Sequence, residues 1–274
     1  MDKIWVVALK EFKDGFRNRW MMAITLMFAM CSLGLAYFGS AASGILGFSS
    51  LSSTMVSLSS LAVILIPLIA LMIAYHAFVG EYEQGTMLLL QTYPLSKVQL
   101  ILGKFLGQGT ILAISSLLGF GVAACAIAYS SELPVTEVLI AFSWFILSAT
   151  LLGWVFIAIA YTISLSVSEK SRAAGLALVI WFFFVLVFDV SLLALLIGTK
   201  GDVSSDLMTI LLMFNPTDVF RLINYQIIQT GELSGVLQVM QDSSISLPSL
   251  FLVLIAWVIL PLGLSGLLFQ RREG

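Results

Sequence analysis

The sequence predicts an all-α protein that crosses a membrane six times. Of its 274 residues, 60 % are hydrophobic and only 10 % are charged, whereas a soluble domain contains about 45–50 % apolar and about 25 % charged residues. Six apolar runs are each long enough to cross a bilayer as a helix, which takes about 20 residues. The small net charge of −2 also excludes nucleic acid as a partner, because it provides no basic binding surface.

The positions of the charged residues predict how the spans are oriented. All six runs are free of charge except the fifth, which contains Asp189. Eleven of the thirteen Lys and Arg residues flank the runs on one side, and only Lys200 and Arg221 lie on the other. Because basic flanks stay in the cytoplasm, both termini are expected there. The spans are expected at residues 20–38, 58–79, 105–130, 138–165, 173–197 and 249–269.

Residues 1–19 have the pattern of an amphipathic helix. Apolar Trp5, Leu9, Phe12 and Phe16 recur at helical spacing, and charged residues occupy the other faces. This pattern is typical of a helix that lies among the lipid head groups of a membrane. A solvated basic tail would not need the aromatic stripe, so we expect an interfacial helix that contacts lipid.

Residues 80–104 form a patterned cytoplasmic segment. Glu81 and Glu83 close the second span, and Gly85 interrupts the helix. Thr86 is placed to cap a short helix, which stops at Tyr93 because a residue before proline avoids the helical region. The apolar side of this short helix consists of Met87, Leu88, Leu89 and Leu90. An apolar helix at an aqueous surface needs cover, so it packs under the bundle or a partner protein covers it.

A second helix start follows at Ser96. The helix that it begins carries Lys97 and Lys104 into the third span. Gly103 and Gly107 are four residues apart in this helix, a spacing that permits close contact with another helix.

The outer segment 198–248 is the second irregular region. Its apolar part, 207–214, is about half a span long, which suits a buried or re-entrant helix. Asn215, Pro216 and Asp218 form a helix start, with an Asn cap, a proline in the first turn and an acid at the positive helix end. We expect two short helices that dip into the outer leaflet, the second ending near Gly231, and then a polar loop.

Motifs for catalysis are weak or missing. The single Gly-Lys pair, Gly103-Lys104, is followed by Phe105, so the sequence has no phosphate-binding loop of the Gly-x-x-x-x-Gly-Lys-Ser/Thr kind. A single histidine, His76, excludes a two-histidine zinc site. Ser265 lies in a Gly-Leu-Ser-Gly motif similar to that of intramembrane serine proteases, but His76 precedes it along the chain, and helix packing is the favoured interpretation. No catalytic residue and no cofactor are expected in this chain.

Two features inside the spans allow a chemical and a structural interpretation. Met27, Met30 and Cys31 lie on one face of the first span and have the soft ligands that copper(I) prefers, although packing is favoured because methionine is an ordinary apolar residue. Asp189 needs a partner, because a carboxylate at the centre of a bilayer costs about 2.5–3.5 kcal/mol. A hydrogen bond at the junction with the outer helices is the simpler expectation, and proton coupling is the alternative.

These segments together resemble the membrane subunits of ABC-2 type exporters, a family of ATP-binding-cassette transporters. The resemblance covers the whole chain and implies a single domain over residues 1–274. Its most specific part is the cytoplasmic series Glu81-x-x-x-Gly85-Thr86, Tyr93-Pro94-Leu95-Ser96 and Gly103-Lys104. In that family this segment forms a coupling helix, which sits in a groove of a separate ATPase subunit. The resemblance implies this role for Glu81, Glu83, Gly85, Thr86, Met87, Leu90, Tyr93, Pro94 and Leu95.

The resemblance also implies partners and a location. It implies two copies of a cytoplasmic ATPase that hold ATP and Mg²⁺, a second copy of this chain, a periplasmic accessory protein, and a place in a bacterial inner membrane. Segments 17–20, 38–44, 67–71 and 90–95 are most similar to permeases that serve the maturation of nitrous oxide reductase. That similarity implies supply of copper or sulfur, or mechanical delivery, to a copper enzyme outside the membrane. The alternatives are a proton-coupled secondary transporter that uses Asp189 and a mechanical transmitter without a substrate path.

Overall fold

The structure is a computed structural model that describes residues 3–38, 51–130, 134–200, 202–228 and 245–272, and within these ranges all regular structure is helical. Six helical segments are long and apolar enough to span a membrane, which confirms the predicted fold class. The helices are α1 (Lys3–Arg17), α2 (Trp20–Phe38), α3 (Leu51–Ala74), α4 (Val79–Glu83), α5 (Thr86–Thr92), α6 (Lys97–Ser130), α7 (Val135–Ser166), α8 (Lys170–Phe182), α9 (Phe188–Gly198), α10 (Ser205–Met213), α11 (Pro216–Ile228) and α12 (Leu247–Arg271).

Several spans are longer than the apolar runs that predicted them. The second span begins with α3 at Leu51 rather than at residue 58. One of its serines, Ser60, is accommodated because its hydroxyl bonds within the helix, donating to the carbonyl oxygen of Val56 at 3.0 Å. The third span begins at Lys97, eight residues before the predicted start at 105. The predicted helix end at Gly231 and most of the polar loop after it lie outside the described residues.

The centre of the bundle is formed by α6 and α7. α6 packs against α1, α2 and α7, and α7 packs in addition against α3, α11 and α12. Phe28 of α2 stacks on Phe120 of α6 with ring centroids 4.8 Å apart, and Phe120 contacts Phe145 of α7 at 5.0 Å. Phe145 in turn lies 6.0 Å from Phe220 of α11. A chain of buried aromatic rings therefore joins four helices.

Glycines allow α1 to lie directly against α6. A Cβ atom at Gly103 would lie 2.5 Å from the Cβ of Val7, and one at Gly107 would lie 2.6 Å from the Cβ of Glu11. The predicted close helix contact at this glycine pair is confirmed, with α1 as the partner. Val7 and Ala8 of α1 are buried in the contact. The face of α1 that carries Trp5, Leu9 and Phe16 is exposed.

The fifth span is the least buried of the six candidate spans. Of an apolar 18-residue stretch within Lys170–Gly198, only 11 % is buried, whereas 50 % of the corresponding stretch is buried in each of the second, third and fourth spans. Its helix is interrupted by a π-helical turn at Phe183–Val187, between α8 and α9. Most of its surface is therefore available to lipid or to another protein.

The glycine contact predicts that a single methyl group added to α6 destabilises the protein. Gly107→Ala places a Cβ 2.6 Å from that of Glu11 and should lower the free energy of unfolding by about 1–3 kcal/mol. The matched control is Gly121→Ala in the same helix, where nothing lies within 4 Å of the added atom. The control should leave stability unchanged or raise it by up to about 1 kcal/mol. Thermal unfolding of both variants in nanodiscs measures the difference, and equal unfolding temperatures would contradict the close contact.

Candidate functional site

The break between α3 and α4 is held by a neighbouring span. α3 ends at Ala74, and the chain turns before α4 begins at Val79. Ser164 of α7 accepts hydrogen bonds from the backbone nitrogens of Phe78 at 3.1 Å and Val79 at 3.0 Å. The start of α4 is therefore set by α7 as well as by its own sequence.

The link from α4 to α5 bends at Gly85, as predicted. Gly85 has φ +69°, in the left-handed region that glycine adopts without steric cost. The predicted cap at Thr86 is wrong, because Gly85 occupies the N-cap position and Thr86 is already the first helical residue. The hydroxyl of Thr86 instead donates to the carbonyl oxygen of Glu81 at 3.3 Å. A side-chain cap needs an extended residue before the helix, and the left-handed bend leaves none there.

The end of α5 and the start of α6 follow the sequence pattern. Tyr93 is extended, and Pro94 follows it. Ser96 and Gln99 form a capping box, in which the Gln99 nitrogen donates to Ser96 Oγ at 3.2 Å and the Ser96 nitrogen donates to Gln99 Oε1 at 3.0 Å. Lys3 donates to the carbonyl oxygen of Pro94. The start of α1 therefore contacts the link between α5 and α6.

The surface of α5 carries an exposed apolar patch. Met87 is buried, whereas Leu88 and Leu89 are 71 % and 64 % exposed. Leu95, after the helix, is half-buried against the core. The predicted apolar side of this helix is therefore divided, with Met87 packed under the bundle. Leu88 and Leu89, here termed the α5 patch, face outward.

A buried cluster of charges ties α1, α4 and α6 together. Lys104 of α6 is only 3 % exposed. Its ammonium nitrogen lies 2.6 Å from Glu81 Oε1 and 3.1 Å from Glu11 Oε1. Gln108 donates to the second oxygen of Glu11 at 3.3 Å and accepts a hydrogen bond from Tyr161 at 3.1 Å. Glu11, Lys104 and Glu81 are termed the ion triad.

The ion triad holds Glu11 in its charged form. Burial opposes ionisation of this carboxyl, but the positive charges of Lys104 and Lys10 outweigh burial, and the pKa of Glu11 is lowered. Its ionised form therefore contributes stability above the ordinary pKa of glutamate. This contribution is lost as the pH falls through the lowered native pKa.

Two contacts extend from α4 to other helix ends. The carboxylate of Glu83 accepts a hydrogen bond from the backbone nitrogen of Lys170 at 2.6 Å, at the first residue of α8. Arg272 donates to backbone carbonyl oxygens at the end of α7, and its guanidinium carbon lies 4.5 Å from the ring centroid of Tyr82. α4 is thus attached to α8 and, through Arg272, to the ends of α7 and α12.

At the other end of the bundle, Asp189 has a partner within the protein. Arg221 of α11 donates to Asp189 Oδ2 at 2.6 Å and to Asp218 Oδ1 at 2.9 Å. Asp218 is almost fully buried, and its second oxygen accepts from the side-chain nitrogen of Asn215 at 2.9 Å. One guanidinium therefore holds two carboxylates from two different helices.

The π-helical turn of the fifth span provides the other half of this junction. Within it the backbone nitrogen of Phe188 donates to Phe183 rather than to Phe184. The carbonyl oxygen of Phe184 is then available to Asn215, whose side-chain nitrogen donates to it at 2.9 Å. Asn215 also caps α11, since its oxygen accepts from the Thr217 nitrogen at 3.0 Å, as the sequence pattern predicts.

The remaining candidate residues have ordinary packing positions. Met30 is exposed, and Met27 and Cys31 are half-buried on α2. Ser265 is fully buried, and its hydroxyl donates to the carbonyl oxygen of Pro261 in its own helix at 2.6 Å. His76 lies exposed in the turn between α3 and α4.

Four residues around α4 were not predicted from the sequence. Glu11, Ser164 and Arg272 belong to no motif, and Lys104 was expected only as a basic residue of the Gly103-Lys104 pair and of the helix that begins after Ser96. Glu11 and Lys104 are 93 positions apart in the chain. The position of Lys104, about two turns into a helix that contains Gly103 and Gly107, was a signal for a buried cation. Nothing in the sequence indicated that Glu11 would be its partner.

The sequence matches the ABC-2 family transporter protein family over residues 5–273. The chain therefore belongs to this family, as the motifs predicted, and is a multi-pass membrane permease of an ABC transporter. A protein of this class works with an ATPase subunit.

Two curated relatives are similar over almost their full length, and both are named probable ABC transporter permease protein NosY. The chain is 51 % identical over 274 residues to that of Stutzerimonas stutzeri and 51 % identical over 273 residues to that of Pseudomonas aeruginosa, with 99 % of each chain covered in both cases.

The ion triad predicts a large loss of stability when its cation is removed. Lys104→Met removes the buried cation that Glu11 and Glu81 share, leaves Glu11 with Lys10 alone, and should lower the free energy of unfolding by about 3–5 kcal/mol. The matched control is Arg17→Met, whose side chain is 81 % exposed in its pair with Asp14 and whose removal should cost less than about 1 kcal/mol. Thermal unfolding in nanodiscs at pH 7 measures both. A Lys104→Met protein as stable as the control would show that the triad does not hold these helices together.

The junction at Asp189 predicts that two substitutions compensate for each other. Arg221→Met leaves two neighbouring carboxylates unpaired and should destabilise the protein by about 1–3 kcal/mol. Adding Asp189→Asn to this variant removes one of the two charges and should recover part of the loss. Unfolding temperatures of the single and double variants measure the coupling between the two sites. Strictly additive effects would contradict a direct interaction.

Proposed function

We propose that residues 79–96, which contain α4 and α5, dock onto the cytoplasmic ATPase and receive its movement. The α5 patch carries this proposal, because two adjacent exposed leucines on a short helix outside the spans need an apolar partner. Eleven basic residues flank the spans on this side of the protein, which supports a cytoplasmic location for both termini. ATP and Mg²⁺ are bound by the partner, since this chain has no phosphate-binding loop.

The structure offers a continuous route from α5 into the bundle. A push on α5 reaches α4 through Gly85, and α4 is joined to α1 and α6 by the ion triad. Charges buried in a medium of low dielectric constant interact strongly, so these helices are expected to move with α4. The proposed docking element is therefore attached, through Gly85, to helices that pack in the bundle.

The fifth span extends this route to the opposite side of the membrane. Glu83 of α4 bonds the first residue of α8. At its other end the same span contacts α11 through the Phe184 carbonyl and through the pair of Asp189 with Arg221. We infer that movement at α4 shifts α8 and α9 and so repositions the outer helices α10 and α11. Such a transmission requires two states that differ in their contacts with a partner.

The uncovered face of the fifth span supports assembly with a second copy of this chain. Apolar side chains of α8 and α9, including Leu178, Val179 and Val190, are more than half exposed. In a homodimer with two ATPase subunits, these faces would meet near the centre of the assembly. α1 would lie at the membrane surface with its exposed aromatic face toward lipid.

The biological role follows from the resemblance to the permeases of nitrous oxide reductase maturation. We propose that the complex uses ATP hydrolysis for export or for mechanical signalling toward a periplasmic partner, in the assembly of the copper site of that enzyme. Proton coupling is not proposed, because the ion pair with Arg221 already gives Asp189 a partner. The route through packed helices accounts for transmission without a proton carrier.

The docking proposal predicts that charge in the α5 patch separates the permease from its ATPase. The double variant Leu88→Glu, Leu89→Glu should lose co-purification of the ATPase at least about tenfold, because burying two carboxylates in an apolar groove costs more than 1.4 kcal/mol. The matched control is Leu88→Met, Leu89→Met, which keeps the apolar surface. Both are measured by affinity purification of the co-expressed complex and by ATPase stimulation. Full ATPase binding by the glutamate variant would overturn the proposal.

A further inference from the structure

The last turn of α12 packs on the break from which α4 begins. Phe269 is buried, and its ring centroid lies 5.5 Å from that of Phe78. Phe78 lies in the break itself, where its backbone nitrogen donates to Ser164 of α7, and its ring contacts Tyr161 of the same helix at 5.1 Å. The position of α4 therefore depends on α12 as well as on α7.

Arg272, directly after α12, joins the ends of α12 and α7. Its Nη1 donates to the carbonyl oxygens of Ser164 at 3.2 Å and Leu165 at 3.1 Å, and its Nη2 donates to the carbonyl oxygen of Val167. Carbonyl oxygens in the last turn of a helix have no partner within the helix, and a cation near them is favoured by the helix dipole. One guanidinium therefore closes the end of α7.

The same guanidinium lies over the ring of Tyr82 in α4. Its central carbon is 4.5 Å from the ring centroid, within the distance at which a cation is attracted to an aromatic face. An arginine can do both because its planar group donates hydrogen bonds from its edge and stacks with its face, which an ammonium group cannot. Tyr82 lies between Glu81 of the ion triad and Glu83, which bonds α8. It gives α4 a third attachment, to α12.

α12 carries this attachment toward the helices at the opposite end of the bundle. Trp257 of α12 donates from Nε1 to the carbonyl oxygen of Met213, the last residue of α10, at 3.0 Å. Its ring centroid lies 5.7 Å from that of Phe184 in the π-helical turn. α12 also packs along α7 and α11. A shift of α12 at Arg272 can therefore reach α10 and α11 without passing through the fifth span.

We propose that Arg272 is a positioning residue for coupling, a role that rests on the proposed docking of the ATPase at α5. It holds Tyr82 against the ends of α7 and α12, so that movement received at α5 passes into α12 as well as into the fifth span. Arg272 lies outside residues 79–96, the segment that docks. Its loss should therefore leave ATPase binding intact and reduce the stimulation of ATP hydrolysis.

The test uses the complex of the full-length permease with its co-expressed ATPase, reconstituted in nanodiscs. Arg272→Gln should retain the ATPase and its KM for ATP within about twofold but lower the stimulated kcat at least about fivefold, because the stimulating arrangement of α4 becomes less populated. The matched control is Arg271→Gln, the exposed last residue of α12, which should behave as the unaltered protein does. A folded Arg272→Gln permease that loses the ATPase, or that stimulates it fully, would overturn the positioning role.

A double-mutant cycle separates positioning from a general loss of stability. Tyr82→Leu removes the ring under the guanidinium and leaves the carbonyl oxygens of α7 in place, so it tests the same contact even if Arg272→Gln does not fold. Tyr82→Leu should lower the stimulated kcat about as much as Arg272→Gln, and the double variant should lose no more than either single one. Independent losses that multiply in the double variant would refute the action of Arg272 through Tyr82.

Two further variants complete the experiment. Arg272→Lys keeps the positive charge without the planar group and should lose most of the stimulation, whereas full stimulation by this variant would contradict the stacked guanidinium. The variant Leu88→Glu, Leu89→Glu reports separately on docking. If it loses the ATPase while Arg272→Gln keeps full stimulation, docking at α5 stands and the role of Arg272 is wrong. If it keeps the ATPase, docking at α5 is wrong, and the coupling role of Arg272 is overturned with it.

Discussion

Lys104 brings a positive charge into the bundle at the level where α1, α4 and α6 meet, and the arrangement of these helices depends on its two carboxylate partners. A buried cation is tolerated only when it is paired and hydrogen-bonded. Glu11 and Glu81 meet that requirement from two separate helices. The glycines of α6 allow α1 to approach closely enough for Glu11 to reach the lysine. Close packing and charge pairing are therefore two parts of one constraint, and the proposed docking element borders on it.

The fifth span is the second feature that organises the molecule. It is poorly covered by the rest of the chain, yet polar bonds hold both of its ends. Glu83 bonds its first residue, and Arg221 and Asn215 bond its C-terminal half. The π-helical turn provides one of the bonds to this C-terminal half, because the Phe184 carbonyl accepts from Asn215 within it. π-helical turns are frequent at functional sites, and this one connects the proposed input near α4 with the proposed output at α11.

Local signals predicted local structure well. The Gly85 bend, the stop before Pro94, the Ser96 start and the Asn215 cap are each set by residues within a few positions, and the structure contains all four. The Thr86 cap failed because the left-handed bend at Gly85 decided which residue precedes the helix. The second and third spans were predicted to begin too late, because the second starts with a serine-rich stretch and the third starts at the Ser96 capping box. A search for apolar residues passes over both stretches, because serine makes residues 51–57 less apolar and the start of the third span carries Lys97 and Lys104.

The sequence by itself determined the class of the protein, the six spans and the breaks on either side of α5, because a bilayer imposes an apolar length on each span and short turns depend on neighbouring residues. Only the tertiary structure decided which distant charges meet. Lys104 is paired with a residue 93 positions away, and Asp189 with one 32 positions away. Such pairs arise from the packing of whole helices, whose relative position depends on small residues such as Gly103 and Gly107 and on carbonyls freed by a π-helical turn. The energetic cost of a buried charge requires that a partner exists, and the packing of the helices determines which residue it is.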